Sequence, residues 1–542
     1  MKKIPALITG SMLLMNTAFA GGILTNTNQS AQFARMLSRN ASIDLDAVYF
    51  NPAGLTQLNN GFYFGLQNQT ITQNRTITSE YPYLNPSPKE YKGKVSAPVF
   101  PTAFAVYKKD NWAFSAGFGP NGGGGSAKYD QGLPSFEKQI ANLVPSLAGL
   151  SALGYSVSGY QANISFEGTS VFWGIQLGAT YKINDILSVY AGARYMPSVN
   201  TYKGSIKDIG LTVNGTNQPA APWLTGASTT IAGKATQLSG AATGMQPIID
   251  RGGGSYTLAQ LEGAHYIDAA TRTAIEGGLT SLGKTQAQID AMNLAQIQGT
   301  YAGGAAQLNG TASTLAVAAS QLGDKAVDTK QTGAGITPVI GLDIHLDKLN
   351  IGLKYEHKTY MNLTNQTKVD DVNLFPNGAK TPGDVPAIVS AGIDYKLLDN
   401  LKISGSYTLY LDKNVNWGKN IYLQTRTIDK NYIELALGAE YWLTKNFALS
   451  AGYMNSNMGA SQAYQSDFSY TNDSYTTGLG FQWNIGEKLS LDAGMMLSTY
   501  KDYRKTFDTS FDPNAQLIGH SYNETYGKDT FTFAIGLGYK IF

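Results

Sequence analysis

The chain has 542 residues, no cysteine, 40 basic and 38 acidic side chains, and only 14% charged residues. That balance gives no electrostatic case for a nucleic-acid binder, which needs a basic stripe, and the missing cysteines fit export through an oxidising space without disulfides. Beyond the N-terminus no stretch is apolar for the roughly 18 residues that a membrane helix requires.

Residues 1–20 have the outline of a secretory signal peptide: Lys2 and Lys3, an apolar core over 7–15, and Ala18-Phe19-Ala20 as an A-x-A site, with cleavage expected at Ala20/Gly21. Its removal leaves 38 basic residues against 38 acidic ones. Residues 21–60 follow, with helix formers from Ser30 to Leu37 and then the run from Asp44 to Leu55. A segment this short does not fold alone. From residue 61 onward the chain alternates. Leu479, Phe481, Trp483 and Ile485 interleave with Gly478, Gly480, Gln482 and Asn484, and Phe531, Phe533, Ile535, Leu537 and Tyr539 interleave with Thr532, Ala534, Gly536, Gly538 and Lys540. Successive strand side chains point to opposite faces, so one face is oily and the other small or polar.

This pattern places strands at about 61–78, 97–108, 111–119, 170–182, 187–203, 337–346, 350–367, 385–396, 400–413, 432–443, 446–457, 475–484, 488–503 and 527–542. Short turns alternate with long connections, as in outer-membrane barrels. A soluble sandwich would put charge on its polar face. Here that face is Gly, Ser and Thr with scattered charge, and the oily face is rich in aromatics. The predicted fold is therefore all-β: a 14-stranded antiparallel transmembrane barrel over 61–542, with 21–60 as a hatch in its lumen. Two excursions, 120–169 and 204–335, form long, partly helical outer loops. Helix is expected around 136–150, along the stripe Leu308, Ala312, Leu315, Ala319 and Leu322, and across Ile289, Met292 and Ile297. Parity points Arg194, Lys354, Glu356, Asp394, Lys402, Glu434, Glu440 and Asp492 into the lumen, where Arg35 and Arg39 of the hatch are expected to meet Glu434 or Glu440. Phe542 falls out of parity with Tyr539 and Ile541, which implies a terminal bulge or a shifted register.

The run from Gln29 through Ala47-Val-Tyr-Phe-Asn-Pro-Ala-Gly-Leu55 resembles the N-terminal hatch of the FadL-type outer-membrane channels for long-chain fatty acids and aromatic hydrocarbons. The resemblance covers most of the chain and is weakest over 204–335. It implies residence in the bacterial outer membrane and passive, ligand-gated uptake of a hydrophobic small molecule. It also implies a gating corner at Phe50, Asn51, Pro52, Ala53 and Gly54 beside the ligand, and a lateral opening in the third strand near Gly117, Gly119, Pro120 and Gly122. Arg194 is the implied head-group residue, with Lys354 as a second candidate. Locally, proline fixes its own φ and restrains Asn51, while Gly54 permits a bend, so the corner is rigid.

Alternatives remain at this level: a general diffusion porin, a surface adhesin working through 204–335, or a membrane-embedded hydrolase. His265, His345, His357 and His520 fit no metal-ligand spacing, and Gly122 to Gly125 are not followed by the Gly-Lys-Ser/Thr of a phosphate loop. No catalytic residue, metal or cofactor is expected. The expected partners are a hydrophobic ligand and membrane lipid, with no nucleic acid and a monomeric state.

Overall fold

The computed structural model describes residues 25–419 and 424–542; the expected signal peptide and its cleavage site lie outside the described residues. Fourteen antiparallel strands close on themselves. They are β1 (Gly61–Ser79), β2 (Lys89–Lys109), β3 (Trp112–Tyr129), β4 (Val157–Lys182), β5 (Leu187–Val213) and β6 (Lys325–Leu346). Next come β7 (Leu349–Glu356, resuming at Asn362–Asp370) and β8 (Lys380–Pro382, resuming at Ile388–Leu398). β9 (Leu401–Tyr410), β10 (Tyr432–Trp442), β11 (Phe447–Asn457) and β12 (Ser474–Ile485) continue the wall. β13 (Leu489–Tyr500, resuming at Tyr503–Phe507) and β14 (Tyr522–Lys540) complete it. Closure is explicit: β1 pairs with β2 on one side and with β14 on the other, from Tyr63↔Lys540 to Ser79↔Glu524.

The outward face is oily. Leu437 is 67% exposed and Leu479 57%, while Phe531, Phe533, Ile535, Leu537 and Tyr539 on β14 are between 44% and 48% exposed. Side chains this apolar stay out of water only if lipid covers them, which is the band of a transmembrane barrel.

Several strands run further than the alternation suggested. β2 begins at Lys89 rather than near 97, and β3 continues through Pro120 and four glycines to Tyr129. β5 and β6 likewise shorten the second excursion. A spanning strand needs only about 9–11 residues, whereas β1 to β6 have 18 to 27. Beyond the lipid no face need be oily, so periodicity fades while hydrogen bonding continues. The ladder of β14 ends at Lys540. Ile541 still donates to the Phe62 carbonyl at 2.8 Å, and the Phe542 ring stacks on Phe62 with centroids 6.5 Å apart. Phe542 thus lies past the paired strand, and neither a bulge nor a register shift is needed.

Leu143–Ala162 and Asp208–Asp324 belong to a second compact unit. Its main feature is a pair of long helices, α5 (Ala220–Asp250) and α9 (Leu294–Gln321). Leu308, Ala312, Leu315 and Ala319 are buried on α9, as their spacing predicts. Ile289 and Ile297 fall in different helices, because Asn293 caps α9 with a reciprocal bond to Gln296 and splits the expected element. Between the long helices lie α6 (Leu258–Gly263), α7 (Ala269–Ser281) and α8 (Gln286–Asp290). Leu258, Leu261, Leu279, Ile289 and Ile297 share one core cluster with Met245 and Tyr301. The helix expected around 136–150 forms as α3 (Pro134–Ala141) in the barrel unit and α4 (Leu143–Leu147) in the helical one.

Candidate functional site

The hatch is a compact insert made of α1 (Ala31–Met36), α2 (Ala47–Phe50) and a 3-10 turn, Pro52–Gln57. Ser30 caps α1 by accepting from the Phe33 amide at 2.8 Å. α1 rests on a floor of wall glycines. Gly438 pairs with Gly452, Gly452 with Gly478, and Gly480 with Gly494, so the row crosses β10 to β13. A Cβ on Gly452 would lie 1.8 Å from the Met36 carbonyl oxygen, and one on Gly494 would lie 2.6 Å from the Arg35 amide. The small face of the strands is therefore small because a helix backbone lies on it.

Ion pairs fasten the insert. Arg35, fully buried, pairs with Glu440 and lies 2.9 Å from Asp492, whose other oxygen accepts from Gln32 at 2.7 Å. Arg39 does not reach the wall acids. It pairs within the hatch with Asp46 at 2.6 Å and Asp44 at 2.7 Å, because the chain turns back on itself between α1 and α2. Among the described residues Glu434 pairs with no cation and accepts instead from the hydroxyls of Tyr410 and Tyr432.

The Asn-Pro-Ala-Gly corner is tied to the opposite wall. Asn51 donates to Asp343 at 2.7 Å and to the Ser42 carbonyl at 3.1 Å. The Pro52 carbonyl accepts from Thr180 at 2.7 Å, and Ala53 packs with Tyr190 and Val339. A Cβ on Gly54 would lie 2.6 Å from Asn51 Nδ2. Phe50 stacks on Phe33 with centroids 5.5 Å apart. Arg194 and Lys354 flank Tyr49, with their charges 4.9 Å and 4.6 Å from its ring centroid. Both pair with Glu356, at 2.5 Å and 2.7 Å, and Lys354 also donates to the Tyr49 carbonyl at 2.7 Å.

The wall is irregular where β2 meets β3. Their ladder stops at Ser96↔Ser126 and resumes at Ala103↔Phe118. Pro98 and Pro101 lie in the missing stretch of β2, where they can offer no amide. On β3 the register slips between Pro120 and Gly122 and again between Gly123 and Gly125. Gly123 and Gly124 have φ of +65° and +117°, conformations that side chains other than glycine resist. The leading segment of the hatch stitches this place. The Asn26 amide donates to the Asn121 carbonyl at 2.9 Å, its side chain to the Gly123 carbonyl at 2.7 Å, and Gln29 to the Pro120 carbonyl at 2.9 Å. A small pocket there is lined by Gly117, Gly119, Asn121 and Arg194, which brings the predicted opening and the predicted head-group arginine together.

A larger cavity, of about 410 Å³, lies in the lumen against the leading segment of the hatch. Thr25 to Asn28 and Phe33 of the hatch line it, with Phe100, Phe166, Met454 and Met496. Its charged residues are Arg75, Lys528 and Glu434. None of Asn51, Pro52, Ala53 or Gly54 lines it among the described residues. Arg75 and Lys528 escaped the sequence reading because they sit near the strand ends, where alternation is weak. Among the described residues no group of three or more His, Cys, Asp or Glu could hold a metal ion.

No family model and no curated protein matches the sequence. Solved structures do match. A FadL homologue of Pseudomonas aeruginosa is 12% identical over 96% of this chain and 100% of its own, with a TM-score of 0.56. The toluene transporter TodX of P. putida is 12% identical, covering 92% of this chain and 94% of its own, at 0.46. The toluene transporter TbuX of Ralstonia pickettii is 14% identical, covering 91% and 93%, at 0.41. At such identity a likeness speaks for the fold alone, and the first of the three settles it: this chain has the fourteen-stranded barrel fold of the FadL homologue.

Proposed function

We propose that the protein is a bacterial outer-membrane channel for passive, ligand-gated uptake of a hydrophobic small molecule, of which a long-chain fatty acid is one example. The molecule enters the cavity from the long-loop side, displaces the hatch segment at 25–29, and leaves sideways through the break between β2 and β3. The observation that carries this reading is the stitch. One segment of the hatch both lines the cavity and bonds the carbonyls of Asn121, Pro120 and Gly123 at the break. Filling one therefore competes with sealing the other.

Energetics favours an oily cargo. Each methylene removed from water contributes roughly 0.8 kcal/mol, so a dozen outweigh a partly wet ion pair, worth about 1 kcal/mol or less. In the closed arrangement Glu356 and the Tyr49 ring occupy both Arg194 and Lys354. These cations would reach a ligand head group only after Tyr49 and the adjoining corner Phe50–Gly54 shift, which links occupancy to gating. A porin for polar solutes fits less well, since the hatch is bonded to the wall on both sides of the lumen.

The test is transport into outer-membrane-like proteoliposomes. A neutral hydrocarbon tracer should partition into the membrane faster with the protein than without it, while planar-bilayer recordings stay nearly silent. Large steady ionic currents with no effect on the tracer would identify a porin instead.

A further inference from the structure

Arg75 on β1 and Lys528 on β14 are direct partners across the ladder that closes the barrel. Direct partners project from the same face with Cβ atoms about 4.5–5.5 Å apart, and like charges so placed repel. Both line the 410 Å³ cavity. The cations that seat the hatch all have carboxylates: Arg35 has Glu440 and Asp492, Arg39 has Asp44 and Asp46, and Arg194 and Lys354 share Glu356. Neither Arg75 nor Lys528 has one within ion-pair distance among the described residues. The acid on the cavity wall, Glu434, is engaged by two tyrosine hydroxyls. Arg75 lies 5.4 Å from the Tyr470 ring centroid, donates to Gln73 at 2.8 Å and has the Tyr129 hydroxyl beside it. Lys528 lies 4.4 Å from the Tyr500 centroid. Two cations held together in a cavity lack a counter-charge among the described residues.

We infer that Arg75 and Lys528 form an oxyanion site that orients an amphiphile with a carboxylate or sulfonate head, its tail lying along Phe33, Phe100, Met454 and Met496. The inference rests on the cavity receiving an oily ligand, and it adds the head group and the residues that select it. A guanidinium and an ammonium side by side can each give charge-assisted bonds to one oxyanion. A neutral hydrocarbon would bury its tail in the same place and leave the two charges uncompensated.

The experiment is binding in a non-ionic detergent, by calorimetry, of dodecanoate, dodecanesulfonate and dodecanol to the wild type and to three variants. The wild type should bind both anions roughly tenfold or more tighter than dodecanol, the scale of hydrogen bonds to charged groups. Arg75→Gln with Lys528→Gln should erase that preference and leave dodecanol within about twofold, given the unchanged tail surface. The exchange Arg75→Lys with Lys528→Arg should keep it. Folding is checked by heat-dependent gel mobility, and the exchange variant serves if the double glutamine does not fold. Undiminished preference for the anions in the double glutamine variant overturns the inference, as does equal loss for all three ligands. So does loss of preference in Arg194→Gln alone, which would put the head group there. If the wild type binds none of them, the oily-cargo reading itself falls, whereas dodecanol binding without anion preference removes only the oxyanion site.

Discussion

The Asn26 amide donates to the Asn121 carbonyl at 2.9 Å, joining the leading end of the hatch to the strand that kinks beside the break in the wall. Beside this bond Thr25 and Gly122 form an antiparallel bridge. Bridge partners have Cα atoms about 4.5–5.5 Å apart, within the reach of a disulfide. The chain has no native cysteine to interfere. The double variant Thr25→Cys with Gly122→Cys, once oxidised, should halt tracer uptake in proteoliposomes, and a reductant should restore it. Unimpaired uptake by the cross-linked protein would show that the hatch does not leave the break during transport.

Gly452→Val places side-chain atoms where the Met36 carbonyl now sits. The barrel ladder needs no glycine there, because valine suits a strand. The expected result is a folded barrel with a dislodged hatch, seen as a rise in planar-bilayer conductance over the wild type. Overpacking of this kind costs about 1–3 kcal/mol, enough to shift the hatch without unfolding the wall.

Arg35→Met strips buried Asp492 of its cation and leaves buried Glu440 with Lys402 at 3.3 Å. Removing one partner of a buried pair costs about 3–5 kcal/mol, so hydrogen exchange across 30–37 should accelerate by orders of magnitude. The compensated triple variant, with Glu440→Gln and Asp492→Asn, should recover most of the protection. Failure of the triple to recover would mean that Arg35 acts through packing rather than charge.

Asp412, in the turn after β9, supplies a pH dependence. It is fully buried, no lysine or arginine lies within ion-pair distance among the described residues, and burial pushes its carboxyl up from 3.8 to about 7, against a smaller pull from the Tyr432 amide. A raised folded value means that the native turn binds the proton more tightly than the unfolded chain. Its stability is then full below pH 3.8 and falls as pH rises toward about 7. The Trp417 indole donates to the Asp412 carbonyl at 3.0 Å, so the two report together. After correction for intrinsic rates, amides over 412–418 should exchange faster at pH 8 than at pH 5. Asp412→Asn should remove that difference.

The alternation of Leu479, Phe481 and Trp483 with Gly478, Gly480 and Gln482 made the barrel legible, since a period of two has one outcome when lipid covers one face. The strand count and the inward charges followed from the same parity. Arg35 finding Glu440 was legible as charge complementarity, whereas Arg39 turning back to Asp44 and Asp46 was not, because it depends on the path between α1 and α2. α5 was hidden by glycines and threonines, although Leu224, Ile231, Ala235, Ala242 and Met245 mark one buried face. The break between β2 and β3 was half visible. Pro120 and its glycines pointed to β3, while Pro98 and Pro101 carried an equal signal on β2 that the alternation around them concealed.

Local pattern thus determined the cylinder and its oily outside, because strand parity is set by neighbours along the chain, whereas the segment 21–60 was marked as a hatch by its length and its resemblance. Which wall glycines carry the helix, which acids answer Arg39, and that Arg75 faces Lys528 were decided only in three dimensions. The path of the hatch chain turns Arg39 back to Asp44 and Asp46, the packing of the hatch on the wall sets the glycine floor, and the closure of β1 on β14 brings Arg75 opposite Lys528.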